Sequence, residues 1–108
     1  MIDIKIAVSS TGKDLNSKVD SVFGRCPYFV IAEVKNKKIV KVEAVKNTSA
    51  TKSGGAGISA AQFVAEKGVN AVVAGSIGPR ALDVLNQFKI KTYEDSGSIK
   101  KVLQKFLK

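Results

Sequence analysis

A chain of 108 residues, 44% of them apolar and with no low-complexity tail, reads as one folded domain, 1–108, with a single real core. No apolar run nears the roughly 20 residues that span a bilayer. The start Met1-Ile2-Asp3-Ile4-Lys5 goes straight into a strand pattern without the features of a signal peptide, and one cysteine has no internal disulfide partner, so the expected setting is a reducing cytoplasm with no membrane.

Ile4, Ile6 and Val8 alternate with Lys5 and Ala7, which predicts a strand ending at the turn-formers Ser9-Ser10-Thr11-Gly12. From Lys13 to Cys26 the pattern is weak and predicts a long loop, folded over one end of the sheet, that closes on Phe23-Gly24-Arg25-Cys26-Pro27. Tyr28–Val34 is rich in β-branched and aromatic residues and reads as a second strand. After the turn Lys35-Asn36-Lys37, Lys38–Lys46 reads as a third, with Val40, Val42 and Ala44 on one face and a wet opposite face, paired to the second as a hairpin. Asn47–Gly57 holds nothing large or apolar and predicts a loop left mobile unless something binds it.

Helix one is predicted over Ala56–Lys67, with Gly68 as its C-terminal cap. Val69–Ala74 is a short apolar run without polar alternation, as in a parallel strand covered on both faces. It stops on Gly75-Ser76-Ile77-Gly78-Pro79, a glycine turn with proline placed for the first turn of a helix that runs to about Phe88. Ile90–Tyr93 is the last strand, and Ser98 caps a third helix with Ile99, Val102, Leu103 and Phe106 as its apolar stripe. The second half is thus a βαβαβ alternation, which demands right-handed parallel crossovers. The economical assembly is an α/β fold: a mixed five-stranded sheet of order 3-2-1-4-5, strand two antiparallel, with three helices on both faces. Strands one and four would then meet at a switch point, where ligands favour the loops at the strand ends.

Those loops are candidates for holding an anion. Gly-rich turns and a helix start present unpaired N–H groups at Ser76, Ile77 and Gly78, beside Arg80. Only two of the eighteen basic residues are arginines, Arg25 and Arg80, and both lie in Gly/Pro-containing loops; the sixteen lysines are scattered, with no basic arm. The net charge of +9 fits either a solvated lysine surface or attraction to a nucleotide, a nucleic acid or an anionic metal cluster. Few aromatics and no basic stripe leave nucleic acid disfavoured.

Gly55-Ala56-Gly57-Ile58-Ser59-Ala60 matches G-x-G-x-x-A, but a long polar loop precedes it and no acid follows the next strand, so a dinucleotide fold is not expected. With no histidine, serine–histidine and cysteine–histidine nucleophiles are excluded, and with one cysteine so is a closed zinc site. The carboxylates are few and scattered, which argues against an enzyme. Cys26 is open to two readings: a small buried hydrophobe, or a thiolate ligand to iron that Arg25 would favour.

Phe23-Gly24-Arg25-Cys26-Pro27-Tyr28-Phe29, Gly55-Ala56-Gly57-Ile58, the run Ala65 to Ala81 and Ile90-Lys91-Thr92-Tyr93 resemble the dinitrogenase iron–molybdenum cofactor biosynthesis family, the NifX-like proteins. The resemblance covers essentially the whole chain, and Gly-Ser-Ile-Gly-Pro after an apolar strand is its most specific part. It implies a ribonuclease H-like three-layer fold and a small non-enzymatic carrier, which binds an iron–sulfur or iron–molybdenum cluster or a precursor and passes it to assembly or acceptor proteins, as a monomer or weak homodimer. Many members have histidine before the Phe-Gly-Arg segment; Val22 stands there in this chain. Cys26 is then the soft ligand left apart from Met1. The expected site combines Cys26 as metal ligand, Arg25 and Arg80 as charge clamp, and Gly55, Ala56, Gly57, Ser76, Ile77 and Gly78 as backbone donors, at the ends of strands one and four. The alternative is a module for a phosphate-bearing small molecule that uses the same loops without metal.

Overall fold

The computed structural model describes residues 3–107, so the expectations that fall on Met1, Ile2 and Lys108 lie outside the described residues. The alternating run of the N-terminal segment forms β1 (Ile4–Ser10), and the hairpin strands are β2 (Tyr28–Lys35) and β3 (Lys38–Lys46). There follow α1 (Ala56–Glu66), β4 (Ala71–Ala74), α2 (Pro79–Gln87), β5 (Lys91–Glu94) and α3 (Ile99–Gln104). The sheet order is β3-β2-β1-β4-β5. β2 is antiparallel to both β1 and β3, whereas β1, β4 and β5 run parallel. This is the mixed open sheet expected from the chain order.

Period-two alternation sorts the sheet residues onto two cores. Ala7, Phe29, Ile31 and Val72 face one way and pack on Ala60, Ala61 and Val64 of α1 and on Ala81 and Leu85 of α2. Ile6, Val8, Val30 and Val73 face the other way and meet Ile99, Val102 and Leu103 of α3. β4 is buried along its whole length, which is why its sequence lacks polar alternation, and β1 is buried from Ile6 to Ser10. The helix ends behave as the sequence predicts: Gly68 takes φ 78° just past α1, and the Ser98 hydroxyl accepts a hydrogen bond from Lys101 N at 3.2 Å.

β3 departs from expectation. Its apolar face is wet as well, with Val40 55% and Val42 40% exposed. The core under the six-residue α3 reaches only Ile39 of this strand, and the pairing with β2 shifts between Glu33 and Val34, opposite Val40. An edge strand beyond the reach of a short helix keeps its valines on that face exposed, while Val45 packs on the opposite core.

The long loop after β1 folds back over the ends of β1 and β4. Asp20 N donates to Ser9 O at 2.8 Å, Gly75 N donates to Asp20 O at 3.0 Å, and Phe23 N donates to Ser76 O at 3.0 Å. Residues 20–23 therefore lie between the ends of β1 and β4, filling the switch-point crevice. The approach is close: a Cβ on Gly75 would stand 2.7 Å from Ser21 Cα. Only glycine lets the segment seat there.

Candidate functional site

Beside the filled crevice, on the α1/α2 face, opens a cleft of about 430 Å³ lined by Val22, Phe23, Arg25, Gly55–Ile58 and Gly78–Ala81. Two helix N-termini converge on it. α1 starts after Gly55, held at φ 71°, and α2 starts after Gly78 with Pro79 in its first turn. Neither start is capped by a side chain, and neither first turn contains an acid. First-turn N–H groups have no partner inside their own helix, so they remain available, and the two helix dipoles add their positive ends. Gly57 permits the convergence, since a Cβ there would lie 3.3 Å from Ala81 Cβ.

The only charged residues among the lining are Arg25 and Arg80. The remaining walls are largely aliphatic and aromatic carbon from Val22, Phe23, Ile58, Pro79 and Ala81. The cleft thus offers backbone donors and guanidinium charge against apolar walls, with no carboxylate to repel an anion. That combination suits a large, weakly hydrated anion.

Of the residues expected at the site, the cleft brings together Arg25, Gly55, Ala56, Gly57, Gly78 and Arg80. Three others are placed elsewhere. The Ser76 hydroxyl donates to Ser21 O at 2.9 Å, and its carbonyl holds Phe23, so Ser76 anchors the long loop. Ile77 N donates to Glu94 Oε2 at 3.3 Å, which takes it out of the donor set.

Cys26 is the third, and its placement corrects the ligand expectation. It is wholly buried among Phe23, Phe29 and the α1 residues and does not line the cleft. Burial pushes its thiol above the ordinary value of 9.0, although the Ser9 hydroxyl and nearby backbone groups work the other way. Apart from that thiol, Ser9 Oγ is a buried oxygen without a hydrogen-bond partner. A thiol held neutral in the core is a poor metal ligand. Among the described residues there is also no group of three or more cysteine, aspartate or glutamate side chains that could hold a metal ion.

Sequence reasoning missed the residue that ties down the Gly24–Cys26 turn, which carries Arg25. Asn47, 3% exposed, donates its amide to Gly24 O at 3.1 Å and to Cys26 O at 2.9 Å, and its Oδ1 accepts from Ser49 N. The Ser49 hydroxyl then donates to Ser59 Oγ on α1 at 2.8 Å. The first half of the Asn47–Gly57 loop is therefore tied down without a ligand, contrary to the expectation of a loop left free. The signal in the sequence was a single asparagine where a strand meets a polar loop, which could be read only as a turn-former.

Fold and cleft together define an open, mixed α/β domain in which two helix N-termini and two arginines converge on one cleft. The chain belongs to the family described as dinitrogenase iron-molybdenum cofactor, whose profile matches residues 4–108. A protein of Methanocaldococcus jannaschii described as uncharacterised is 36% identical over 93 residues, covering 85% of this chain and 79% of the relative. The apo form of the orange protein from Desulfovibrio gigas superposes with a TM-score of 0.88 at 37% identity, covering 95% of this chain and 86% of that one. A Thermotoga protein provisionally described as NifB and placed in the DUF35 family gives a TM-score of 0.77 at 31% identity, covering 95% of this chain and 86% of the other.

Proposed function

We propose that the chain is a non-enzymatic carrier of an iron–sulfur or iron–molybdenum type cluster, or its precursor, which it passes to a metallocofactor assembly or acceptor protein. The observation that carries this reading is the convergence of two uncapped helix N-termini and two arginines on one acid-free cleft. Metal–sulfur clusters are anionic, and their outer atoms accept hydrogen bonds. The donor set fits such a cargo through those outer atoms and not through protein–metal bonds, because the single thiol is buried and histidine is absent. Weak, ligand-free holding suits a protein that must give its cargo away. Family membership favours a cluster over a phosphate-bearing molecule in the same cleft.

The test is anaerobic reconstitution with iron and sulfide, with and without molybdate, followed by absorbance and metal analysis. Gly78 has an ordinary backbone conformation and nothing within 4 Å of an added Cβ, so Gly78→Phe fills the cleft without straining the chain. Wild type and Cys26→Ala are expected to take up metal and sulfide alike, and Gly78→Phe to take up little. Loss of uptake in Cys26→Ala with retention in Gly78→Phe would move the site away from the cleft.

A further inference from the structure

The two arginines on the cleft have different surroundings. Arg25 Nη1 donates to Ala50 O at 3.0 Å and to Lys52 O at 2.6 Å, joining the turn before β2 to the loop before α1. Hydrogen bonds from a charged donor are the stronger kind. They fall near the end of the anchored part of that loop. Asn47 and Ser49 hold its beginning, whereas residues 51–55 are exposed up to Gly55, where the first-turn donors of α1 begin. Arg80, in the first turn of α2, enters no salt bridge among the described residues.

We propose that Arg25 is a positioning residue, which clips the 50–52 turn and thereby sets the N–H edge of Gly55–Gly57, and that Arg80 is the cation that meets the bound anion. The proposal rests on the cleft being an anion site. It assigns two arginines of equal charge to separable roles. A lysine at position 25 keeps the charge but is shorter and more strongly hydrated, so it does not replace the clip, whereas a lysine at position 80 still presents a positive point charge.

The experiment titrates wild type, Arg25→Lys, Arg25→Gln, Arg80→Lys and Arg80→Gln with tetrathiomolybdate at several salt concentrations. The same proteins, without any added anion, are digested with trypsin, and cleavage after Lys52 is followed. Both Arg25 variants are expected to bind about tenfold more weakly, the size of effect that losing charged hydrogen bonds produces. Arg25→Lys should keep the wild-type salt dependence, and both variants should be cut faster after Lys52. Arg80→Lys should bind nearly as wild type does, and Arg80→Gln should bind weakly with a flattened salt dependence. Wild-type binding by Arg25→Lys, a salt dependence flattened more in Arg25→Gln than in Arg80→Gln, or unchanged cleavage after Lys52 in both variants would each overturn the assignment while leaving the anion site standing. Failure of wild type to bind the anion at any salt concentration would overturn the anion-site reading and the assignment with it.

Discussion

Cys26 and Asn47 show how burial changes what a residue can do. Cys26 stands next to Arg25 in sequence, a neighbourhood that would stabilise a thiolate in solvent. In the fold the guanidinium turns to the loop carbonyls, and the thiol turns into the core beside Asn47 Nδ2, 3.7 Å away. Desolvation then dominates and holds the thiol neutral. The consequence for stability has a definite sign. The unfolded chain ionises this thiol near 9.0, whereas the folded chain does so only at higher pH. The stabilising contribution is therefore complete below about pH 9 and is lost as pH rises through the folded value. Urea unfolding of wild type and Cys26→Ala should show the difference between them shrinking above pH 9; a difference that stays constant to pH 11 would contradict the buried, neutral thiol.

At the scale of elements, glycines decide which segments touch. Gly24 has φ 98°, and a Cβ there would meet Gly57 Cα at 2.8 Å, so the turn before β2 lies directly on the start of α1. Gly55 also has positive φ, 71°, but an added Cβ would meet nothing within 4 Å. Both positions would strain an alanine, and only Gly24 adds a steric clash with backbone. Gly55→Ala is expected to cost about 1 kcal/mol from backbone conformation alone. Gly24→Ala should cost about 3 kcal/mol or more, since the turn must also lift off α1. Denaturant midpoints measure both, and equal losses would show that the contact with Gly57 carries no energy.

The elements themselves were legible because their causes are local. The apolar periodicity of Ile99–Phe106, the proline at the start of α2 and the glycine after α1 each act within a few residues. The strand order was legible because parallel crossovers leave few alternatives. Other features were set by distant contacts. Nothing in Asp20–Phe23 announces that it lies between β1 and β4, and nothing in Asn47 announces two carbonyl partners more than twenty residues away. The exposed valines of β3 likewise depend on how far α3 reaches. For the site, the sequence pointed to both arginines and both glycine segments, whereas the three residues placed elsewhere, Cys26, Ser76 and Ile77, are engaged by partners in other segments.

For the whole molecule, the sheet acts as a platform that brings two helix starts together at one edge while its central crevice is closed by its own chain. The net charge of +9 raises the local concentration of anions around the molecule, and the cleft supplies the oriented donors that a general positive field lacks. No helix among the described residues is long and apolar enough to cross a membrane. The central claim is that a cluster sits between the starts of α1 and α2 without a protein–metal bond. The most direct measurement is a crystal structure of the anaerobically reconstituted protein, with anomalous maps recorded at the iron and molybdenum absorption edges. The account predicts metal density bounded by Gly55–Gly57, Gly78 and Arg80, with Cys26 still buried; metal bonded to the Cys26 sulfur would contradict it.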